Sequence, residues 1–142
     1  MRLSTVHGFS VLAALAMIAL AGCGGPLHYK IPSSRLAPGG DAEITANINE
    51  SQNQTALEVK VMNLPPASRV NPNAKVFVAW QRKGENGIWA RLGTLKFDEE
   101  KRTGDLAATV PEQVFDFEIS AEADEGAKSP SADIVFAQRV AR

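Results

Sequence analysis

The sequence has one cysteine, Cys23, and two histidines, His7 and His28, in 142 residues. A lone cysteine rules out an intrachain disulfide, the usual support of small secreted domains. Both histidines lie ahead of residue 29, so a domain that starts at Asp41 has neither histidine nor cysteine. Such a domain lacks Ser–His and Cys–His nucleophilic pairs and zinc sites of the common ligand types. No glycine-rich phosphate loop occurs, because Gly84 and Gly87 bracket a hairpin pattern. Charge of one sign is also missing. Fifteen Lys and Arg against 16 Asp and Glu leave −1, whereas nucleic-acid binding calls for a clustered basic face. Apolar runs are short, with one exception at the N-terminus.

That exception is Phe9 to Leu20, broken only by Ser10 and preceded by the positive Arg2. It is too short to span a bilayer and ends in small residues, the pattern of a secretory signal peptide. Leu20-Ala21-Gly22-Cys23 closes it. The small Ala21 and Gly22 fit a narrow peptidase pocket, and the thiol of Cys23 can accept a diacylglyceryl group. These four residues resemble the bacterial lipobox. The resemblance implies a signal peptide over 1–22 and a mature chain that begins at an acylated Cys23. It also implies a membrane anchor made of fatty acyl chains such as palmitate. Each buried methylene contributes about 0.8 kcal/mol, so several chains make attachment effectively permanent. The expected location is the cell envelope, on the periplasmic side or at the outer membrane. Gly24 stands where an aspartate would retain a lipoprotein at the inner membrane, which leans towards the outer one.

Residues 23–40 read as the lipidated cysteine and a flexible tether. Gly24 to Gly40 contains Pro26, Pro32 and Pro38, Ser33-Ser34 and Gly39-Gly40, a density that opposes helices and central strands. A free chain of that length spans about 20–25 Å. Lys30 and Arg35 are solvated charges in this reading, or contacts to anionic headgroups. The alternation of Leu27, Tyr29 and Ile31 leaves room for a short edge strand.

From Asp41 a period of two dominates. Ala42, Ile44, Ala46 and Ile48 alternate with polar residues, as do Leu57, Val59 and Val61. Val76, Val78 and Trp80 share one face of a strand with Phe77 and Ala79 on the other, which predicts a central strand. Asn86-Gly87 predicts a tight hairpin with positive φ at both residues. Ile88 to Phe97 forms the return strand, with a bulge or bend at Gly93. Leu106 to Val110, Phe115 to Ser120 and Ile134 to Val140 complete seven strands over 41–142. Turns recur every 8–12 residues, which predicts an all-β, immunoglobulin-like sandwich with Trp80 in the core.

Candidate chemistry in this domain rests on carboxylates and tryptophan. Asp116 and Glu118 lie two apart on one strand face, a spacing open to paired acid–base work, although a solvated face is the better reading. Glu122, Asp124, Glu125 and Asp133 surround a loop but match no calcium-loop spacing. Asn53-Gln54-Thr55 is a chance sequon. Trp89 sits near a hairpin tip and is the candidate partner contact, by stacking on a sugar or burial in a protein; it could equally cover the sandwich edge. No cofactor, metal site or catalytic residue is expected.

The order Leu64-Pro65-Pro66, Phe77-Val78-Ala79-Trp80, Leu92-Gly93-Thr94-Leu95, Phe115 to Ala121 and Pro130 resembles the extracytoplasmic domain of anti-sigma-K-type factors. Pro130-Ser131-Ala132 and Ala137-Gln138 lack glycines typical of that family, and its sigma-binding helical domain and transmembrane helix have no counterpart. The resemblance implies a sandwich on the outer side of a membrane and transfers no site residue. The expected function is a non-enzymatic binding or sensing module, accessory to an envelope-stress pathway in the form the resemblance implies. The alternative is a lipoprotein that binds glycan or surface polymer.

Overall fold

The computed structural model describes residues 24–142. The expected signal peptide over 1–22, with Leu20, Ala21 and Gly22 of the expected lipobox, and the expected acylation site Cys23 lie outside the described residues. Among those described, nine strands form two antiparallel sheets. The strands are β1 (Leu27–Pro32), β2 (Asp41–Asn49), β3 (Gln54–Met62), β4 (Val76–Arg82), β5 (Ala90–Thr94), β6 (Lys96–Asp98), β7 (Thr103–Val110), β8 (Phe115–Glu122) and β9 (Ile134–Val140). One sheet has the order β1-β2-β3-β7-β6, the other β5-β4-β8-β9. The expected β-sandwich is therefore the fold. The order matches that of a seven-stranded immunoglobulin-like sandwich with two further edge strands, β1 on the first sheet and β5 on the second. No helix among the described residues is long and apolar enough to cross a membrane.

The core between the sheets follows from alternation. Ala42, Ile44 and Ala46 of β2 and Leu57, Val59 and Val61 of β3 point inward. They meet Phe77 and Ala79 of β4, Phe115, Phe117, Ile119 and Ala121 of β8, and Phe136 and Val140 of β9. Side chains repeat every second residue, so each strand commits one face to this layer.

The tether expectation fails from Leu27 onward. β1 pairs along its length with β2, from Leu27 opposite Ala46 to Pro32 opposite Asp41. Ile31 is buried in the core, with Leu27 and Tyr29 packed against it. The Tyr29 hydroxyl donates to the Ala141 carbonyl at 3.0 Å and accepts from the Ala141 N–H at 3.2 Å. Residues 33–40 form a compact turn around the fully buried Ala37. Ser34 ties that turn to β9, its N–H to the Val135 carbonyl at 2.8 Å and its hydroxyl to the Ile134 carbonyl at 2.7 Å. The prolines permit this because none of them sits at an interior ladder position: Pro26 precedes β1, Pro32 is its last residue and Pro38 lies in the turn. Among the described residues, Gly24–Pro26 are what remains of the expected tether ahead of β1. Lys30 accordingly belongs to a strand, 3.5 Å from Glu43.

The single return strand expected over Ile88–Phe97 is two strands. The chain leaves the four-stranded sheet after Thr94 and joins the other at Lys96, with buried Leu95 at the crossing donating its N–H to the Phe77 carbonyl. The register shift expected near Gly93 is present between Ala79 and Trp80. A Cβ at Gly93 would stand 2.9 Å from Leu106 Cδ1 of the facing sheet. The hairpin before β5 is wider than Asn86-Gly87 predicts: its positive φ is at Gly84, and the Gly87 N–H bonds the Gly84 carbonyl. A four-residue helix, α1 (Ala67–Val70), follows Pro66; it is too short to leave a periodic trace.

Candidate functional site

Two surfaces gather polar side chains. The first is the outer face of the five-stranded sheet. Cross-strand pairing lines up Lys30, Glu43, Lys60, Asp105 and Lys96 in one row over all five strands. Charges alternate along the row, the arrangement in which directly opposed side chains attract. A shallow groove of ≈ 620 Å³ runs beside this row. Met62, Asp98 and Lys101 line its far end. The Asp98 carboxylate accepts from the Lys101 N–H at 3.0 Å, which holds it below the usual carboxylate range. Met62 is among the few large apolar side chains left exposed.

The second surface is the face of the four-stranded sheet turned away from the core. Pairing places Val76, Val78, Trp80 and Arg82 of β4 beside Glu122, Ser120, Glu118 and Asp116 of β8. Trp80 is fully buried, as expected, but on this face and not between the sheets. Its Nε1 donates to Ser120 Oγ at 2.8 Å, which satisfies the indole inside the protein. The Ser120 hydroxyl in turn donates to Glu122 Oε1.

Asp116 and Glu118 do share a face, yet they differ in environment. Asp116 receives Arg82 Nε at 3.1 Å and Arg139 Nη1 at 3.0 Å. Glu118 is only 5% exposed, and its Oε1 has no hydrogen-bond partner among the described residues. Burial raises its pKa, opposed by the nearby Arg82 charge. The expectation of a solvated strand face is thus wrong for Glu118. A small cavity of ≈ 360 Å³ lies here, lined by Arg82, Trp89, Asp116, Glu118 and Arg139 among others. Trp89 is half-buried, with the Arg82 guanidinium 4.6 Å from its ring centroid. One face of the indole is therefore occupied by a cation–π contact.

The acidic loop is dispersed by its own hydrogen bonds. Glu122 Oε1 also accepts from the Ser131 N–H, Asp124 from the Gly126 N–H, and Asp133 from Asn71 Nδ2. Among the described residues no group of three His, Cys, Asp or Glu side chains is arranged to hold a metal ion. His28, placed by sequence in a tether, lies on β1 with Nδ1 3.3 Å from Thr45 Oγ1. The charge row is the feature that sequence reasoning missed. Its residues are scattered over five strands, and only the register brings them together.

Comparison with family models, curated proteins and solved structures finds no match to this chain.

Proposed function

We propose that the chain is an envelope lipoprotein, acylated on Cys23, whose sandwich is a non-enzymatic module that binds a protein through the charged groove of the five-stranded sheet. The observation that carries this reading is the order of the N-terminal residues. A positive start, an apolar run and Leu20-Ala21-Gly22-Cys23 are followed at Leu27 by the first strand. A row of alternating charges favours a partner with the complementary pattern and disfavours a polyanion, which Glu43 and Asp105 would repel. Exposed Met62 adds a compliant apolar contact at the groove's end. An accessory role in an envelope-stress pathway is the form of this reading implied by the resemblance to anti-sigma-K-type factors. Glycan binding is the second reading. It is favoured by the cavity in which the free part of the Trp89 ring lies beside Arg82, Asp116 and Arg139.

The anchor is tested by metabolic labelling with an alkyne fatty acid. The native chain takes up label, and Cys23→Ser loses it and moves to the soluble fraction; a labelled Cys23→Ser protein refutes acylation at that site. The groove is tested by a photo-crosslinking residue at position 60 in intact cells, with position 91 as control. One dominant protein adduct from position 60 alone supports the groove. Retention on a polysaccharide that Trp89→Ala abolishes would replace it with the second reading.

A further inference from the structure

The loops at one end of the sandwich gather around the entry point of the chain. They are residues 24–26, 50–53, 83–89, 111–114 and 141–142, and they are joined to one another. Arg142 Nη2 donates to the Gly24 carbonyl at 2.6 Å, and its Nη1 lies 2.8 Å from Glu50 Oε1. Gln113 Nε2 donates to Asn53 Oδ1 at 3.1 Å, and Lys83 Nζ lies 3.2 Å from Glu112. This end also carries the most exposed large apolar side chain among the described residues, Ile88 at 91%, and Val114 at 43%. Four residue steps separate Cys23 from Leu27, which span at most about 14 Å when fully extended. The polar zone on each side of a bilayer is about 5–8 Å deep. Even fully extended, so short a lead keeps the start of β1 within about 6–9 Å of the headgroup layer, so this end of the sandwich is the end nearest the bilayer.

The geometry points to this end as a membrane-docking surface: the sandwich stands on the bilayer that holds Cys23, with Ile88 entering the boundary between headgroups and acyl chains. This rests on the lipoprotein reading above and adds an orientation to it. Ile88 lies in the hairpin between β4 and β5, in the sheet that does not contain β1, and Val114 lies on the loop from β7 to β8. With the entry of the chain at Gly24 they mark three separated points of one end, so strands run roughly along the membrane normal. Trp89, next to Ile88, presents an apolar ring with a polar N–H, the side-chain type suited to that depth. The end holds acids as well as bases. Glu50 and Glu112 are ion-paired, and Glu85 has no ion pair among the described residues, so the surface suits zwitterionic lipid and gains nothing from anionic lipid.

The sequence allows a direct test, because the acylated Cys23 uses the only native thiol. Ile88→Cys in the full-length acylated protein then carries a single environment-sensitive nitrobenzoxadiazole dye. Leu36→Cys, also on an exposed apolar residue but at the opposite end, is the control. Both are reconstituted in phosphatidylethanolamine–phosphatidylglycerol vesicles. The expected result is doxyl-lipid quenching at least threefold stronger at position 88 than at 36, with 88 protected from aqueous iodide. Equal quenching at both positions overturns the proposal. Vesicle flotation reads the anchor separately: protein that fails to float refutes the lipoprotein reading, while floating protein with position 88 in water refutes only the orientation. Protection of position 88 in cells but not in protein-free vesicles would also overturn it, in favour of a protein covering that end.

Discussion

Replacing Ile31 by alanine separates a strand from a tether. Ile31 is 7% exposed, packs in the common core and is paired opposite Ala42. Truncating a buried isoleucine to alanine costs about 2–5 kcal/mol, through lost transfer energy and the cavity left behind. Ile31 lies on an edge strand, where neighbours can relax into the space, so the lower part applies, about 2–3 kcal/mol. For a domain of this size that is a fall in Tm of roughly 6–15 °C. The assay is urea unfolding of the soluble Cys23→Ser protein without residues 1–22, followed by tryptophan fluorescence, which buried Trp80 makes sensitive to unfolding. The midpoint should fall at unchanged m-value. Lys30→Ala is the internal control: the same strand, but a side chain 87% exposed, and a change within about 0.5 kcal/mol. A loss below about 0.5 kcal/mol for Ile31→Ala would mean that residues 27–32 do not hold the fold together, and the strand assignment would fall.

Three further outcomes follow from the same contacts. Tyr29→Phe removes the hydroxyl that both donates to and accepts from Ala141 and should cost about 1–2 kcal/mol in the same assay; no change would mean that water replaces those bonds. Glu118→Gln tests the raised pKa. The folded state holds that proton more tightly than the unfolded chain, so the Glu118 contribution to stability falls as pH rises from the ordinary glutamate range through the folded pKa, then stays level. The variant should lose that slope and gain stability at pH 7 relative to pH 4; parallel stability–pH curves for the two proteins refute a shift at this residue. Lys60→Glu sets three acids side by side with Glu43 and Asp105 and should cost about 0.5–1 kcal/mol in low salt, with much of the loss recovered in 0.5 M salt; a salt-independent loss would show that stem packing, not charge, is at stake.

Most of the architecture is legible in the sequence, because period-two alternation and turn residues are local signals. The central position of β4 follows from its two apolar faces. The stops at Leu64-Pro65-Pro66 and Pro111 follow from the missing proline N–H. Composition misled where it was read without pairing. Prolines and glycines between Gly24 and Gly40 look like a linker, yet the alternation of Leu27, Tyr29 and Ile31 is the stronger signal, because three apolar side chains on one face need a surface to cover. Asp116 and Glu118 show the converse. Both are acidic and share a face, and nothing local foretells that Arg82 and Arg139 neutralise one while the other is buried. The charge row is beyond sequence reading for a simpler reason: whether Lys30, Glu43, Lys60, Asp105 and Lys96 align depends on four registers at once, and a slip of one residue in any of them breaks it.

On the proposed lipoprotein reading, moving β1 into the fold also changes what kind of partner an anchor at Cys23 would permit. A tether of 20–25 Å would let the groove sample many heights and orientations. With three residues between an acylated Cys23 and β1, that reading holds the domain close to the bilayer and the groove at a set height. On the orientation proposed here, Lys60 lies six residues along β3 from its membrane-proximal start, about 20 Å at 3.3 Å per residue. Asp98 and Lys101 lie beyond it, towards the far end. A partner that reads this row must therefore present its complementary charges roughly 20–30 Å from the membrane surface, on a protein that is itself membrane-bound or that reaches down to the membrane. A polymer confined to layers further from the bilayer could not engage it. Inserting a flexible spacer of 15–20 residues after Gly25 gives the decisive contrast. Capture of a partner at fixed height should weaken when the height is released, whereas binding to a freely diffusing protein should be unchanged by the spacer.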